Sequence, residues 1–184
     1  NSKITIAIDA MGGDNSPYKN IEGIALFLKK NKKNDVFFNI FGNEDLLKNL
    51  LIKNKISNDK YKIFPTNTIV SDEETPLTAI KNSKESSMWH SINSQIISNS
   101  NITLSAGNTG VMFVISRMLL KTIESVSKPA LAGLWPNKKN MNVVLDLGAN
   151  VECDEKNLID FSEMGAALFK ALFPNDTPKV ALLN

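Results

Sequence analysis

Apolar and polar positions along this chain switch repeatedly between two periods. Short apolar runs of strand length alternate with stretches in which apolar residues return every three to four positions. Ile4–Asp9 is the first run and reads as a buried strand. Pro17–Lys30 reads as a helix, with Ile21, Ile24, Ala25 and Leu28 on one face. Val36–Phe41 is a second strand, and Glu44–Leu51 a helix whose early acids suit its N-terminus. Tyr61–Phe64 is a short third strand. After an acidic loop, the pattern predicts a short helix over Pro76–Ser83 and a longer one over Ser87–Ser98. Ile102–Ser105 is a strand, and the turn at Gly107–Gly110 opens a helix to about Thr122. Further strands are expected at Pro129–Leu134, Asn142–Asp146 and Lys179–Leu183, with a helix over Leu158–Phe173. Such alternation implies one α/β domain over residues 1–184, a three-layer α/β/α sandwich around a mostly parallel sheet. A buried parallel strand normally feeds another crossover, so the chain is expected to be part of a longer one.

Composition narrows the class. Hydrophobic residues make up 42% and charged residues 22%, as in a globular domain. A net charge of +2 with no basic patch interleaved with aromatics argues against nucleic acid. The single cysteine, Cys153, excludes an intrachain disulfide and fits a reducing, cytoplasmic setting. No apolar run approaches the roughly 20 residues that span a bilayer.

Three turns share one design, each following a predicted strand and joining glycine to Asp, Asn, Ser or Thr. They are Asp9–Asp14, with Gly12 and Gly13; Ser105–Gly110, with Gly107, Asn108 and Thr109; and Asp146–Asn150, with Gly148. Glycines let backbone N–H groups approach an anion, and strand carboxyl ends line the crevice of an open parallel sheet. Convergence of the three would build a site for a phosphate-bearing ligand. Each alone is also an ordinary glycine turn with an Asx cap. An unpaired carboxylate about 4 Å from phosphate would oppose it by roughly 4 kcal/mol at an effective dielectric near 20. Asp14, just before a helix, is therefore expected to accept backbone N–H groups, and Asp9 and Asp146 to face the crevice.

Lys81, Lys84, Ser86 and Ser87 form a fourth element at a helix start, where lysine charge and serine donors suit an anion. A plain serine N-cap with solvated lysines explains them equally well. His90 is the only histidine and reads as structural, and Cys153 lacks an obvious activating base. No spaced ligand set suggests a metal, and neither G-x-G-x-x-G nor a Walker A sequence is present.

Taken in order, the motifs resemble the bacterial acyl-acyl-carrier-protein:phosphate acyltransferase family. The matching residues are Ile6–Asp14, Pro76, Ala79, Lys84, Ser86–Met88, Ser105–Gly110, Pro129–Ala132, Asp146–Val151, Met164–Gly165 and Leu182–Asn184. Lys81 stands where the family usually has arginine, and Glu152 where aspartate is usual. The resemblance implies a fold similar to the isocitrate/isopropylmalate dehydrogenase-like sandwiches. It implies transfer of a fatty acyl group from acyl carrier protein to inorganic phosphate, with no cofactor. It further implies a cytoplasmic homodimer with peripheral membrane association. Phosphate is then the nucleophile, and no catalytic Ser or Cys is required. Asp9, Lys84, Asn108 and Asp146 are the expected catalytic residues. Gly12, Gly13, Asp14, Ser86, Ser87, Gly107, Thr109, Gly110, Gly148 and Asn150 are expected to bind substrate. A coenzyme A-dependent short-chain phosphotransacylase and a non-catalytic binding fragment are the alternatives.

Overall fold

The computed structural model describes all residues except 1, 2, 32, 34, 72, 74, 76, 77, 79–82, 98, 139 and 184. It forms two compact units, residues 1–121 and 122–184.

The first unit is built on a four-stranded, fully parallel sheet. Its strands are β1 (Ile4–Asp9), β2 (Val36–Gly42), β3 (Tyr61–Pro65) and β4 (Ile102–Ser105). They lie in the order β3-β2-β1-β4. The helices are α1 (Tyr18–Lys30), α2 (Glu44–Lys53), α3 (Ser87–Ile96) and α4 (Thr109–Leu120). Strand alternation divides the residues between two faces. Ile8, Phe38 and Ile40 turn one way and pack with Ile21 and Ile24 of α1 and Leu47, Leu50 and Leu51 of α2. Ile21, Ile40, Leu47 and Leu51 are fully buried, each contributing roughly 1.5–3 kcal/mol by leaving water.

The opposite face mixes polar Asp9, Asn39 and Thr103 with buried Ala7 and Phe41. Asn39 donates to the Asn99 carbonyl at 2.7 Å and to Ser100 Oγ at 2.9 Å. Thr103 Oγ1 donates to the Ser91 carbonyl of α3 at 2.9 Å. Beyond this layer, Met88 and Ile92 of α3 pack with Val111 and Ile115 of α4 in a second apolar cluster. Helices on both faces of a parallel sheet match the expected α/β layering. The four strands begin where the sequence predicts and end within one residue of expectation. The short helix expected over Pro76–Ser83 falls almost wholly outside the described residues, as do Pro76 and Lys81. Ser83 itself opens a single 3-10 turn, Ser83–Glu85.

The second unit departs from expectation. Its strands, β5 (Gly133–Pro136) and β6 (Met141–Val144), are antiparallel. The connection explains this. Asn137 N–H donates to the Asn140 carbonyl at 2.8 Å, and Asn140 N–H to Asn137 Oδ1 at 2.7 Å. So tight a turn makes a hairpin, whereas a parallel neighbour needs a crossover of a dozen or more residues. The strand expected at Pro129–Leu134 starts only at Gly133, because Leu131 N–H is taken by the Asp146 carboxylate at 2.7 Å. Lys179–Leu183, expected as a strand, has no ladder partner among the described residues. Val180, Leu182 and Leu183 lie exposed there. An apolar run becomes a strand only where a sheet edge receives it.

Helix α5 (Glu155–Leu172) begins three residues earlier than the periodicity implies. Asp154 caps it, accepting from Asn157 N–H at 2.8 Å, while Asn157 Oδ1 accepts from Asp154 N–H at 3.2 Å. The reciprocal pair is a capping box with Asn in place of the usual Glu or Gln. Asn157 is buried and also donates to Ser127 Oγ at 2.9 Å.

Candidate functional site

The strand order sets the site's place. The chain runs outward from β1 through β2 to β3, then returns across β1 to form β4 on its other side. The reversal leaves a topological switch point between β1 and β4, where open α/β sheets bind ligands beyond the strand carboxyl ends. The turns leaving these two strands are Asp9–Asp14 and Ser105–Gly110. The parallel register sets Asp9 directly beside Ser105.

Asp9 is the knot of this junction, with only 2% of its surface exposed. Ser87 Oγ donates to its Oδ1 at 2.5 Å, and Ser105 Oγ donates to its Oδ2 at 2.7 Å. One carboxylate thus joins the end of β1, the start of α3 and the end of β4. Ser105 Oγ accepts in turn from Gly107 N–H at 3.1 Å. Burial pushes the Asp9 carboxyl up. That effect outweighs the opposing hydrogen bonds from Ser87, Ser105 and the backbone of Met11 and Gly12.

The glycines let the two turns touch. A Cβ on Gly12 would lie 2.5 Å from Asp9 Oδ2 and 3.0 Å from Gly107 N. Gly13 adopts φ +91°, and a Cβ there would lie 2.6 Å from the Ala106 carbonyl oxygen. Both glycines are thus demanded by packing between turns. Two side chains brace the first turn from outside. Asn20 Nδ2 donates to the carbonyls of Ala10 at 2.8 Å and Gly12 at 3.0 Å. Ser16 Oγ donates to the Met11 carbonyl at 2.6 Å.

The two helix starts at this junction differ. That of α3 is closed by protein. Ser86 Oγ accepts from Trp89 N–H at 3.1 Å, the Ser86 carbonyl from His90 N–H at 3.0 Å, and Ser87 N–H donates to the Thr68 carbonyl at 3.3 Å. Ser86 and Ser87 are both buried. The plain N-cap reading accounts for Ser86, and Ser87 acts through Asp9. The start of α4 is more exposed. Asn108 caps it by accepting from Val111 N–H at 3.1 Å, while Thr109 and Gly110 are exposed in its first turn. Here the positive end of a 12-residue helix faces outward. Lys84 is exposed within the 3-10 turn that precedes α3.

Asp14 does not play its expected part. Helix α1 is capped at Pro17 with no side-chain cap bond, and Asp14 lies exposed three residues before that cap. The proline takes the cap position, and the carboxylate stays in solvent.

Asp146, Gly148 and Asn150 belong to the second unit. Asp146 Oδ1 accepts from Leu131 N–H at 2.7 Å. Its Oδ2 accepts from Asn150 N–H at 2.7 Å and from Asn150 Nδ2 at 3.0 Å. Asn150 Nδ2 also donates to the Pro129 carbonyl at 2.8 Å. Partial burial alone would raise the Asp146 carboxyl. Hydrogen bonds from Leu131, Asn150 and Ala149 prevail and hold it below the usual carboxylate range. Among the described residues, no cluster of His, Cys, Asp and Glu could hold a metal ion, and no helix is long and apolar enough to cross a membrane.

Sequence reasoning found both turns of the junction but named neither Ser105 nor Asn20 as an individual site residue. Ser105 was findable, because the last residues of two neighbouring parallel strands in register sit side by side and face the same way. Asn20 carries no sequence signal, since a polar residue in a first helical turn usually faces solvent.

Comparison with known proteins bears on what the junction serves. The chain is 52% identical over 181 residues to the phosphate acyltransferase of Pelagibacter ubique, covering 98% of this chain and 53% of that protein. It is 40% identical over 183 residues to the phosphate acyltransferase of Anaplasma phagocytophilum, covering 98% and 53%. It is 37% identical over 182 residues to that of Agrobacterium fabrum, covering 98% and 51%. The chain therefore spans about half the length of the curated relatives it matches. The family model described as fatty acid synthesis protein matches residues 4–184, and on that match the chain belongs to this family.

Proposed function

We propose that the full-length protein transfers a fatty acyl group from acyl carrier protein to inorganic phosphate, giving acyl phosphate for phospholipid synthesis. The observation carrying this reading is the similarity, at up to 52% identity among the relatives described above, to proteins named phosphate acyltransferase. The exposed first turn of α4, Thr109 and Gly110 beside the β1–β4 switch point, supports it, because a helix N-terminus suits a small anion. A phosphate oxygen attacks the thioester carbonyl carbon, the C–S bond breaks, and the carrier's thiolate leaves and takes up a proton. The protein must hold phosphate against the carbonyl and stabilise the tetrahedral oxyanion.

Within this reading, the Gly107, Thr109 and Gly110 backbone and the Asn108 side chain bind phosphate or the oxyanion, and Lys84 supplies charge. Gly12 and Gly13 let the two turns close. Asp9 and Ser87 are positioning residues, since both are engaged inside the protein. Ser86 caps α3. Asp146 with Asn150 holds the Gly148 turn of the second unit. A cytoplasmic homodimer with peripheral membrane association completes the proposal.

The test is phosphate-dependent loss of acyl-carrier-protein thioester by the full-length protein, with the matching coenzyme A thioester run alongside. Asn108→Ala is expected to lower kcat by about 100-fold, the usual scale for one oxyanion donor. Parental rates in both Asn108→Ala and Lys84→Ala would overturn these roles. Preference for the coenzyme A thioester would overturn the carrier-protein assignment.

A further inference from the structure

A second concave surface lies at the opposite end of the first unit's sheet. It is a groove of about 620 Å³, within the roughly 300–1,000 Å³ typical of small-ligand sites. The groove follows the last turns of α1, the start of β2 and the turn after α2. Val36 opens β2 and pairs with Ile4, whereas Asp9 closes β1. Five residue steps of about 3.3 Å put roughly 17 Å between this groove and the switch-point junction.

Leu26, 53% exposed, supplies most of the apolar floor, over the buried Val36 and Ile56 at 7% and 8%. The rim is cationic, formed by Lys29, Lys33 and Lys55. Among the described residues, none of these three ammonium groups has a carboxylate within ion-pair distance. The nearby acids are already engaged: Glu22, on the wall, pairs with Lys19 at 3.2 Å, Asp59 with Lys60 at 3.3 Å, and Asp35 Oδ1 accepts from Asn31 Nδ2 at 3.3 Å. Lys29 also complements the α1 C-terminal dipole, but Lys33 and Lys55 lie outside any helix. Lys55 holds a left-handed conformation, φ +56°, just after the α2 C-cap, a place that glycine fills most easily. Among the described residues, no aromatic ring lines the groove to stack a base, so a nucleotide fits poorly. A concave surface with an exposed leucine beneath three lysines that have no carboxylate partner among the described residues suits one hydrocarbon chain with an anionic head.

We propose that this groove is a second, non-catalytic site for a single long-chain fatty anion. The proposal does not depend on the reaction assigned to the junction.

A 12-carbon fatty acid carrying a diazirine tests it by photolabelling the full-length protein, with adducts mapped by mass spectrometry. Adducts are expected within residues 22–33 and 54–60. The Lys29→Glu, Lys55→Glu double variant should cut labelling of those segments at least about 10-fold while leaving other adducts unchanged. Leu26→Asp, at a half-exposed position of α1, should do the same with an unchanged urea midpoint. A 12-carbon alcohol with the same diazirine should label these segments at least about 10-fold less. Absence of adducts there, unchanged labelling in the double variant, or equal labelling by the alcohol would each overturn the proposal.

Discussion

Asp9 takes a carboxylate to a place where only 2% of the residue is exposed, and the cost of that burial is set by Ser87 and Ser105. Hydrogen bonds to charged groups contribute about 1.5–3 kcal/mol each, and a buried acceptor that loses its donor forfeits that and more. Ser87→Ala is therefore expected to destabilise the protein by about 2 kcal/mol in urea denaturation. An unchanged midpoint would show that the Ser87 bond contributes nothing net. Gly12→Ala attacks the same carboxylate by crowding. Its Cβ would lie 2.5 Å from Asp9 Oδ2, closer than real contacts allow, so either the carboxylate or the turn must move. Overpacking of this kind costs roughly 1–3 kcal/mol. Gly23 supplies the control. It lies mid-α1 with nothing within 4 Å of a new Cβ, so Gly23→Ala should stabilise by about 1 kcal/mol through helix propensity alone. Loss of stability in Gly23→Ala would mean that α1 meets something there that the described residues do not include.

Helix starts show best what was legible in the sequence. The β1, β2, β3 and β4 runs were readable because a parallel strand covered on both faces is a short, nearly continuous apolar segment. The Asn108 cap was readable from its place between Gly107 and Thr109. The start of α5 was not, because its capping box uses Asn157 where Glu or Gln is the familiar signal. Asp154→Ala removes that cap and should cost about 1 kcal/mol, seen as earlier melting of α5 by hydrogen exchange. If exchange of the first α5 turn is unaltered, the cap is dispensable. The β5–β6 hairpin was misread for another reason. Apolar runs of four residues fix neither strand direction nor partner, and the Asn137–Asn140 turn decides both. Lys179–Leu183 marks the same boundary, since pairing is a property of the neighbour and not of the run. At the candidate site, sequence located the two turns, and the structure adds how they fit together. The glycines serve the approach of one turn to the other, and the Asp9 carboxylate points inward to serines.

Over the whole molecule, two aspartates drive stability against pH in opposite directions. Asp9 has a raised pKa, so between the ordinary carboxylate value of 3.8 and that raised value the folded protein binds more protons than the unfolded chain. Stability then falls as pH rises through this window. Asp146 has a lowered pKa, so the unfolded chain binds more protons below 3.8. Its contribution is present above that value and is lost as pH falls through the folded pKa. Replacing each carboxyl by the isosteric amide separates the two. Asp9→Asn should gain stability relative to the parent as pH rises from about 4 toward neutrality, because the Ser87 and Ser105 hydroxyls can reorient around an amide. Asp146→Asn should lose stability relative to the parent above pH 4 and converge on it in acid, since an amide nitrogen cannot accept from Leu131 or Asn150. Urea denaturation of both variants and the parent from pH 3 to 8 gives the two difference curves. Slopes of the same sign would contradict the opposed environments of the two groups. A flat Asp9→Asn curve would mean that the serines and backbone amides fully offset the cost of burying that carboxylate.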